Sequence, residues 1–303
     1  MPITHLAPTP QSHDGLYYAT NSPYQLNGPR GFTEFRYLEE TTDLFVRLDF
    51  PGIIKESVKI LLEPSKKAVI VIGDAPKEHG HDSSGRKYGT ATGLVCDCCQ
   101  ISNVQCFVGD GVVRLILSKK KINLHSPSSC GSNSFGEGPR MANNLVANLC
   151  ALARVLREHY PEDNTGGSNP QDTGASAHPL AHLRGLNPQG RRGTDPLDPA
   201  YTGPVIIPHP SVLEGPNTAY ETKRLQNGGL FLRIDMPGVP RENFTVEVEG
   251  GIVTVIGLAP PAMYDSSGRY YGGKVAVLPR GYDNRLIRKI TKHGVLRLIF
   301  PSP

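Results

Sequence analysis

The sequence predicts an all-β protein built from two β-sandwiches that repeat one pattern. Three segments in the first half of the chain return in the second half, in the same order. Because the order is kept, the pairs indicate two domains of one fold. The pairs are LFVRLDFPG and LFLRIDMPG (44–52 and 230–238), DSSGR (82–86 and 265–269), and GVVRLI and GVLRLI (111–116 and 294–299).

The strand assignments rest on alternation and on β-branched residues. Leu44, Val46 and Leu48 fall on one face of an extended chain and the residues between them on the other. The second copy keeps this parity. A run of β-branched residues follows at 68–72, and again at 252–256, and it is apolar on both faces, as in a strand buried inside a sandwich. Short strands joined by turns, with no helix between them, favour a sandwich.

Composition limits the class of protein. The 303 residues are 38% hydrophobic, with a net charge of +4 and six cysteines. The sequence contains no run of about 18 apolar residues, which would predict a membrane span. It also shows no basic and apolar leader, which would predict secretion. We therefore expect a cytoplasmic or nuclear protein with free thiols and no membrane partner. Because nucleic-acid binding usually requires a concentrated basic face, we expect no direct binding of nucleic acid at this mild charge.

The repeat and the composition together predict the domain boundaries. The Pro- and Gly-rich connecting stretch is expected to be mostly disordered. Within it, Leu145, Leu149 and Leu152 recur at helical spacing and predict one amphipathic helix at about 140–159. The predicted parts are a disordered arm (1–34), a first, degenerate sandwich (35–118), a linker with that helix (119–217) and a second sandwich (218–303).

The repeated unit resembles the α-crystallin domain of small heat-shock proteins. The family pattern is an acidic residue before Pro-Gly, an alternating acidic strand, a β-branched strand ending in Gly, and a Gly-Val-Leu strand ending in Pro. The second copy carries all four parts, at 235–239, 242–248, 253–257 and 294–301, and the first copy matches more loosely. The resemblance implies two immunoglobulin-like sandwiches.

The resemblance also implies a function and a site. Members of the family bind exposed apolar segments of unfolded proteins without ATP, in a groove between the acidic strand and the Gly-Val-Leu strand. Each residue carried over to that groove could equally be sandwich core. The groove residues so implied are Val58, Ile60, Val113 and Leu115 in the first copy, and Phe244, Val246, Leu296 and Leu298 in the second.

Two departures from the family bear on assembly. Only about six residues separate the β-branched strand from the DSSGR turn in each copy, too few for the extra strand that plant and bacterial members exchange between subunits. We therefore expect the two sandwiches of one chain to pair with each other, or to form a small oligomer. In the family an Ile/Val-x-Ile/Val motif plugs a neighbour's groove; Val205, Ile206 and Ile207 are a candidate for this role, or an ordinary apolar patch.

Other constellations are weaker. Cys96, Cys98, Cys99 and Cys106 are the best metal candidate, but zinc-binding cysteines are usually separated by about two to four residues, so loosely packed thiols explain them better and no cofactor is expected. The DSSGR sequence allows a phosphate site or a tight polar turn. His79, His81 and Asp82 allow weak metal binding or a solvated loop. No nucleophile elbow or phosphate-binding Gly-Lys-Ser/Thr loop is present, so no enzyme activity is expected.

The resulting hypothesis is a plant stress-response chaperone of the small heat-shock type. The alternative is a protein of the same fold that acts as an interaction scaffold with one specific partner, for example a subunit of a nuclear complex for chromatin or DNA demethylation. Metal or thiol sensing is a third class, which rests on the cysteines alone.

Overall fold

A computed structural model of the chain describes residues 19–122 and 205–302, except positions 21, 30, 39, 42, 95, 97 and 207. Strands dominate these residues, and their helical elements are three 3-10 turns, Lys55–Ser57, Arg241–Asn243 and Asn284–Leu286. The prediction of an all-β fold is confirmed. The strands of the first half are β1 (Ala19–Thr20), β2 (Gln25–Asn27), β3 (Thr33–Tyr37), β4 (Leu44–Asp49), β5 (Lys59–Leu62), β6 (Ala68–Ala75), β7 (Arg86–Gly93), β8 (Cys99–Gly109) and β9 (Val112–Lys121).

The second half repeats this order. Each of its nine strands corresponds to the strand at the same place in the order of the first half. The strands are β10 (Val205–Ile206), β11 (Val212–Glu214), β12 (Tyr220–Arg224), β13 (Leu230–Asp235), β14 (Phe244–Glu249), β15 (Ile252–Ala259), β16 (Arg269–Val277), β17 (Arg288–Lys292) and β18 (Val295–Phe300).

The first sandwich consists of two four-stranded sheets, in the orders β3-β4-β9-β8 and β11-β7-β6-β5. Its core lies between them. The alternating residues of β4, Leu44, Val46 and Leu48, pack there with Val69 and Val71 of β6. The two-residue period therefore decides which side chains enter the core.

The second sandwich has the same architecture, with sheets in the orders β12-β13-β18-β17 and β14-β15-β16-β2. Leu232 and Ile234 of β13 lie in its core with Val253 and Val255 of β15. Equivalent residues thus build both cores, as the repeat predicts.

The opposite face of β4 is buried as well. Phe45, Arg47 and Asp49 have the parity that points away from the core, yet they are 1%, 1% and 3% exposed. The second sandwich covers this face, and Arg47 bonds to Asp265 of that sandwich. The two sandwiches of one chain therefore pair with each other, as expected from the sequence.

The pairing includes a reciprocal exchange of strands. β2, which precedes the first sandwich, pairs with β16 of the second, and β11, which precedes the second sandwich, pairs with β7 of the first. β1 and β10 run parallel to each other. Each sandwich therefore borrows its fourth strand from the segment that leads into the other.

This exchange differs from the sequence-based prediction in two places. Part of the predicted disordered arm, residues 22–29, is ordered, and Tyr24 is fully buried in the second core. Residues 212–214, assigned to the linker, form β11. Both strands are three residues long and pair with strands remote in sequence, so neither has a period that predicts it.

The loops between the β-branched strand and the DSSGR turn contain no exchanged strand, as their short length predicts. Residues 76–85 connect β6 to β7 and residues 260–268 connect β15 to β16, and no strand lies within either loop. The exchanged strand comes instead from the segment before each sandwich.

The predicted helix at about 140–159 lies outside the described residues, as does most of the predicted linker. The domain boundaries stay a prediction there. Within the described ranges, no helix is long and apolar enough to cross a membrane.

Candidate functional site

Most of the residues that the resemblance places in grooves lie in the cores. β9 and β18 each have a partner strand on both sides, so their inward side chains are enclosed. Val58, Ile60 and Val246 are half-buried beside sheet edges and remain candidates. The other five are at most 3% exposed and are core residues in this structure: Val113, Leu115, Phe244, Leu296 and Leu298.

The accessible apolar surface lies between edge strands. β5 and β8 each end a sheet of the first sandwich, and β14 and β17 each end a sheet of the second. We name the space between β5 and β8 the first edge groove and that between β14 and β17 the second edge groove. Half-buried side chains line the first (Val58, Ile60, Val104, Cys106 and Val108) and the second (Val246, Val248 and Ile287).

Polar side chains connect the two sides of the second edge groove. Lys289 of β17 donates from Nζ to the carbonyl oxygen of Phe244, which begins β14, at 3.0 Å. Thr291 donates from Oγ1 to the carbonyl oxygen of Arg241 at 3.3 Å. Carbonyls beside β14 are therefore already engaged by β17.

Cys106 of β8 occupies the position equivalent to Lys289. Cys106 pairs with Leu115 and Lys289 with Leu298, and these two leucines are counterparts in the repeat. Burial raises the pKa of the Cys106 thiol, although the nearby charge of Lys55 opposes the rise. The thiol therefore stays protonated and uncharged at neutral pH, as part of an apolar lining.

The candidate plug segment does not lie in a groove. Val205 and Ile206 pair with Ala19 and Thr20 in the parallel ladder of β1 and β10. Ile207 lies outside the described residues. An extended segment satisfies its backbone groups with whichever strand is adjacent, and here that strand is β1.

Three of the four clustered cysteines come together. The sulfur atoms of Cys96, Cys98 and Cys99 lie within 4.8 Å of one another, while Cys106 is outside this group. Cys98 takes part in a disulfide bond, contrary to the expectation of free thiols. Burial raises the pKa of Cys99. Because a metal ligand must be a thiolate, the cluster remains a weak candidate.

The repeated DSSGR turn has a role that neither sequence-based interpretation anticipated. Each turn inserts its Asp and its Arg into the other sandwich. Asp265 accepts from Arg47 Nη1 at 2.9 Å and from Arg114 Nε and Nη2 at 2.8 and 2.7 Å. Arg269 completes the contact through a buried ion pair with Asp49.

The turn of the first sandwich does the same in return. Asp82 accepts from Arg297 Nε at 2.8 and 3.1 Å, and Arg86 Nη1 lies 2.7 Å from Asp235 Oδ2. We name this set of buried ion pairs the interdomain clasp. Its members are Arg47, Asp49, Asp82, Arg86, Arg114, Asp235, Asp265, Arg269 and Arg297.

The clasp keeps its carboxylates ionised. Burial alone would raise the pKa of Asp265, but the hydrogen bond from Arg114 and the charge of Arg47 hold the pKa below its ordinary value. For Asp82 the hydrogen bond from Arg297 outweighs burial in the same way. The Asp and Arg side chains of both turns are paired across the interface, so the arrangement does not favour a phosphate site there.

The two histidines beside Asp82 also belong to this interface. The rings of His79 and His81 lie 6.0 and 5.7 Å from the ring of Phe231 in the second sandwich. In the reciprocal contact, the centre of the Tyr264 ring lies 5.9 Å from the centre of the Phe45 ring. Because Asp82 is bonded to Arg297, it is not available as a metal ligand.

The chain is similar to known proteins over most of its length. The family model described as "Predicted plant small heat shock protein" matches residues 3–303. The "Putative 57 kDa heat shock protein" of Arabidopsis thaliana is 59% identical over 307 residues, covering 89% of this chain and 56% of the relative. The "Heat shock 22 kDa protein, mitochondrial" of Glycine max is 32% identical over 83 residues, covering 27% of this chain and 38% of the relative.

Solved structures resemble single parts of the chain. A small heat-shock protein from Xylella fastidiosa has 22% identity and a TM-score of 0.23, covering 27% of this chain and 83% of that chain. Heat shock protein 16.0 from Schizosaccharomyces pombe has 15% identity and a TM-score of 0.23, covering 28% and 65%.

The chain spans 56% of the length of its Arabidopsis relative. The family resemblance drawn from the repeated strand motifs is confirmed by the match to the family model. Because that match extends over residues 3–303, this chain belongs to the predicted plant small heat shock protein family.

Proposed function

We propose that the protein is an ATP-independent chaperone that binds exposed apolar segments of unfolded proteins. Membership of the small heat shock protein family supports a role of this type. The observation that carries the proposal is the pair of edge grooves, where strands without an outer partner in the described sheets lie beside half-buried apolar side chains.

The chemistry of such a groove suits an unfolded segment. An extended peptide can add to a sheet edge through its backbone, while alternate side chains enter the apolar groove. This mode accepts many sequences, because the backbone provides most of the hydrogen bonds. Binding alone then keeps aggregation-prone surfaces apart, so no nucleotide is required.

An aggregation assay tests the proposal. An aggregation-prone enzyme is heated with an equimolar amount of this protein, and light scattering is followed with and without ATP. We expect scattering to be suppressed to the same extent in both conditions, while an unrelated β-sandwich protein has no effect. Absence of suppression would refute the proposal and favour the interaction scaffold, and suppression that requires ATP would refute its nucleotide independence.

The compartment, cytosol or nucleus, stays a prediction. Fusion of a fluorescent protein to the chain and imaging in plant cells before and after heating would decide between the two.

A further inference from the structure

The cysteine cluster at the start of β8 contains two thiols at a spacing typical of redox-active pairs. Two residues separate Cys96 from Cys99, as in the Cys-x-x-Cys motif of thiol–disulfide oxidoreductases. Both residues carry thiols, their sulfur atoms lie within 4.8 Å of each other, and a hydrogen bond joins the two side chains. Rotation of the side chains is therefore enough to bring the sulfur atoms to the length of a disulfide bond, about 2 Å.

The backbone holds this pair in place. Lys67 donates from Nζ to the carbonyl oxygen of Cys96 at 3.1 Å and also to that of Cys99. Between them, the carbonyl oxygen of Cys98 accepts from the N–H of Ile122 at 2.9 Å. Because these bonds fix the turn, the two thiols need no rearrangement of the chain before they react with each other.

The two thiols differ in access to solvent. Cys96 is half-buried, whereas Cys99 is only 1% exposed, so a reagent from solution meets Cys96 first. Burial raises the pKa of Cys99, while the charges of Lys119 and Lys67 oppose the rise. Positive charge beside a cysteine favours the thiolate, which is the reactive form. The cluster therefore has an outer thiol that can attack and an inner thiol that can complete a disulfide.

Packing of the repeated fold does not explain the cluster. At the positions equivalent to Cys96, Cys98 and Cys99, the second sandwich has Pro, Gly and Tyr (279, 281 and 282). It joins β16 to β17 without a cysteine. In the first sandwich, by contrast, Cys98 already takes part in a disulfide, and its sulfur lies 3.7 Å from that of Cys99. Thiols and a disulfide thus lie side by side, as thiol–disulfide exchange requires.

We infer that Cys96 and Cys99 form a redox-active dithiol whose substrates are small-molecule disulfides of the glutathione type. This inference goes beyond the proposed chaperone function and does not depend on it. The Cys96 thiolate attacks one sulfur of the small disulfide, forms a mixed disulfide and releases one thiolate. The Cys99 thiolate then attacks the Cys96 sulfur, closes the disulfide and releases the second thiolate. The two protons of the dithiol pass to the released thiolates, so the protein loses two electrons and the small disulfide gains them.

Trapping of the thiols in glutathione buffers tests the inference. The full chain is reduced with dithiothreitol, equilibrated at graded ratios of oxidised to reduced glutathione, and labelled with N-ethylmaleimide. Mass spectrometry of the tryptic peptide 88–114, which contains the cysteines at 96, 98, 99 and 106, counts labels and glutathione adducts. The variants are made in a Cys98→Ser background, which removes the existing disulfide. Cys106→Ser is the matched control, because Cys106 lies outside the cluster.

We expect the Cys98→Ser protein to lose two labels in one step as the buffer becomes more oxidising, with a disulfide between Cys96 and Cys99. Adding Cys106→Ser should leave this step unchanged. Adding Cys99→Ser should stop the reaction at a glutathione adduct on Cys96. Adding Cys96→Ser should give neither disulfide nor adduct on Cys99, because that thiol is buried. If Cys99→Ser does not fold by circular dichroism, Cys99→Ala replaces it, with the same adduct expected.

Several results would overturn the inference. One is retention of all labels in fully oxidised glutathione. Another is loss of labels in the wild-type protein but not in the Cys98→Ser background, which would make Cys98 the reacting residue. Equal glutathione adducts in the Cys96→Ser and Cys99→Ser variants would contradict the order of attack. A bound zinc ion that a chelator must remove before N-ethylmaleimide reacts would make the cluster a metal site instead.

Discussion

Compared strand by strand, the two sandwiches agree where they meet and differ along their outer edges. Arg47, Asp49 and Arg114 have identical counterparts in Arg233, Asp235 and Arg297, and they lie at the interface. At the outer edges the counterparts differ. Cys106 in the first sandwich corresponds to Lys289 in the second, and the eleven-residue strand β8 corresponds to the five-residue strand β17. Pairing requires both copies to keep the same residues, whereas an outer edge has no such constraint.

The agreement is not complete even at the interface. Asp265 receives two guanidinium groups, from Arg47 and Arg114, but Asp82 receives only that of Arg297 within the described residues. Arg233, the counterpart of Arg47, lies 3.6 Å from Glu221 instead. The clasp therefore has more ion pairs around Asp265 than around Asp82, and substitutions in the two halves should differ in their cost to stability.

The largest effect is expected at Asp265. The substitution Asp265→Asn leaves Arg114 without its carboxylate and Arg47 with Asp49 alone. Loss of one partner of a buried ion pair costs about 3–5 kcal/mol. Asp82→Asn should cost less, because one arginine loses its partner. Urea unfolding followed by circular dichroism gives both free energies. Equal losses would show that the clasp is symmetric in energy.

Tyr24 sharpens the comparison of the exchanged strands. Its ring is fully buried in the second core, while its counterpart, immediately before β11, is Ser211. Removal of a large buried ring costs about 3–5 kcal/mol, so we expect Tyr24→Ala to lie near the lower end of that range. Ser211→Ala should cost far less. Similar values in urea unfolding would mean that both sandwiches depend equally on the borrowed strand.

His209 gives the pairing a dependence on pH. Its Nε2 donates to the carbonyl of Asp49 at 2.6 Å and its Nδ1 accepts from the backbone N–H of Ser211 at 3.2 Å. Burial lowers its pKa to about 4; the charge of Arg86 acts in the same direction, while Asp49 and Asp235 oppose it. Because the unfolded state binds the proton first, stability is present above pH 6.5 and falls as the pH drops towards 4.

The expected loss over that interval is about 3 kcal/mol. The counterpart of His209 is Ser22, which donates to the carbonyl of Asp235, so His209→Ser copies the other half of the molecule. Thermal unfolding between pH 7 and pH 4 should show a shallower decline for this variant than for the wild-type protein. An unchanged decline would assign the acid sensitivity to other groups.

The smallest effects should be equal in the two halves. Gly28 and Gly215 have φ of +92° and +91°, and a Cβ on either would meet the carbonyl oxygen of Gly268 or Gly85 at 2.3 or 2.2 Å. Gly28→Ala and Gly215→Ala should each cost about 2 kcal/mol through backbone strain and this clash. Thermal unfolding of the two variants compares them directly. A clear difference would contradict the equivalence of the two exchanged segments.

The sequence predicts the cores well because they depend on local alternation. Leu44, Val46 and Leu48 enter the core as their parity requires. The interface depends instead on contacts between residues about 150 to 220 positions apart, such as Arg114 with Asp265 and Arg269 with Asp49. Periodicity carries no information at that range.

One signal could have revealed the exchanged strands. SPYQLNGP at 22–29 and HPSVLEGP at 209–216 share both Pro, the Leu and the Gly at the same spacing. This short repeat lies at the same distance before each sandwich, and it marks β2 and β11. The sequence predicts the groove residues less well. Alternation separates the two faces of a strand, but it does not show whether a neighbouring strand encloses the side chains on one face.

Fusion of two copies into one polypeptide changes the kinetics of their association. A homodimer of separate domains dissociates on dilution, whereas two tethered copies meet in a unimolecular reaction whose effective concentration the tether sets. The reciprocal strands β2 and β11 add to this effect, since neither half can leave without withdrawing a strand from the other.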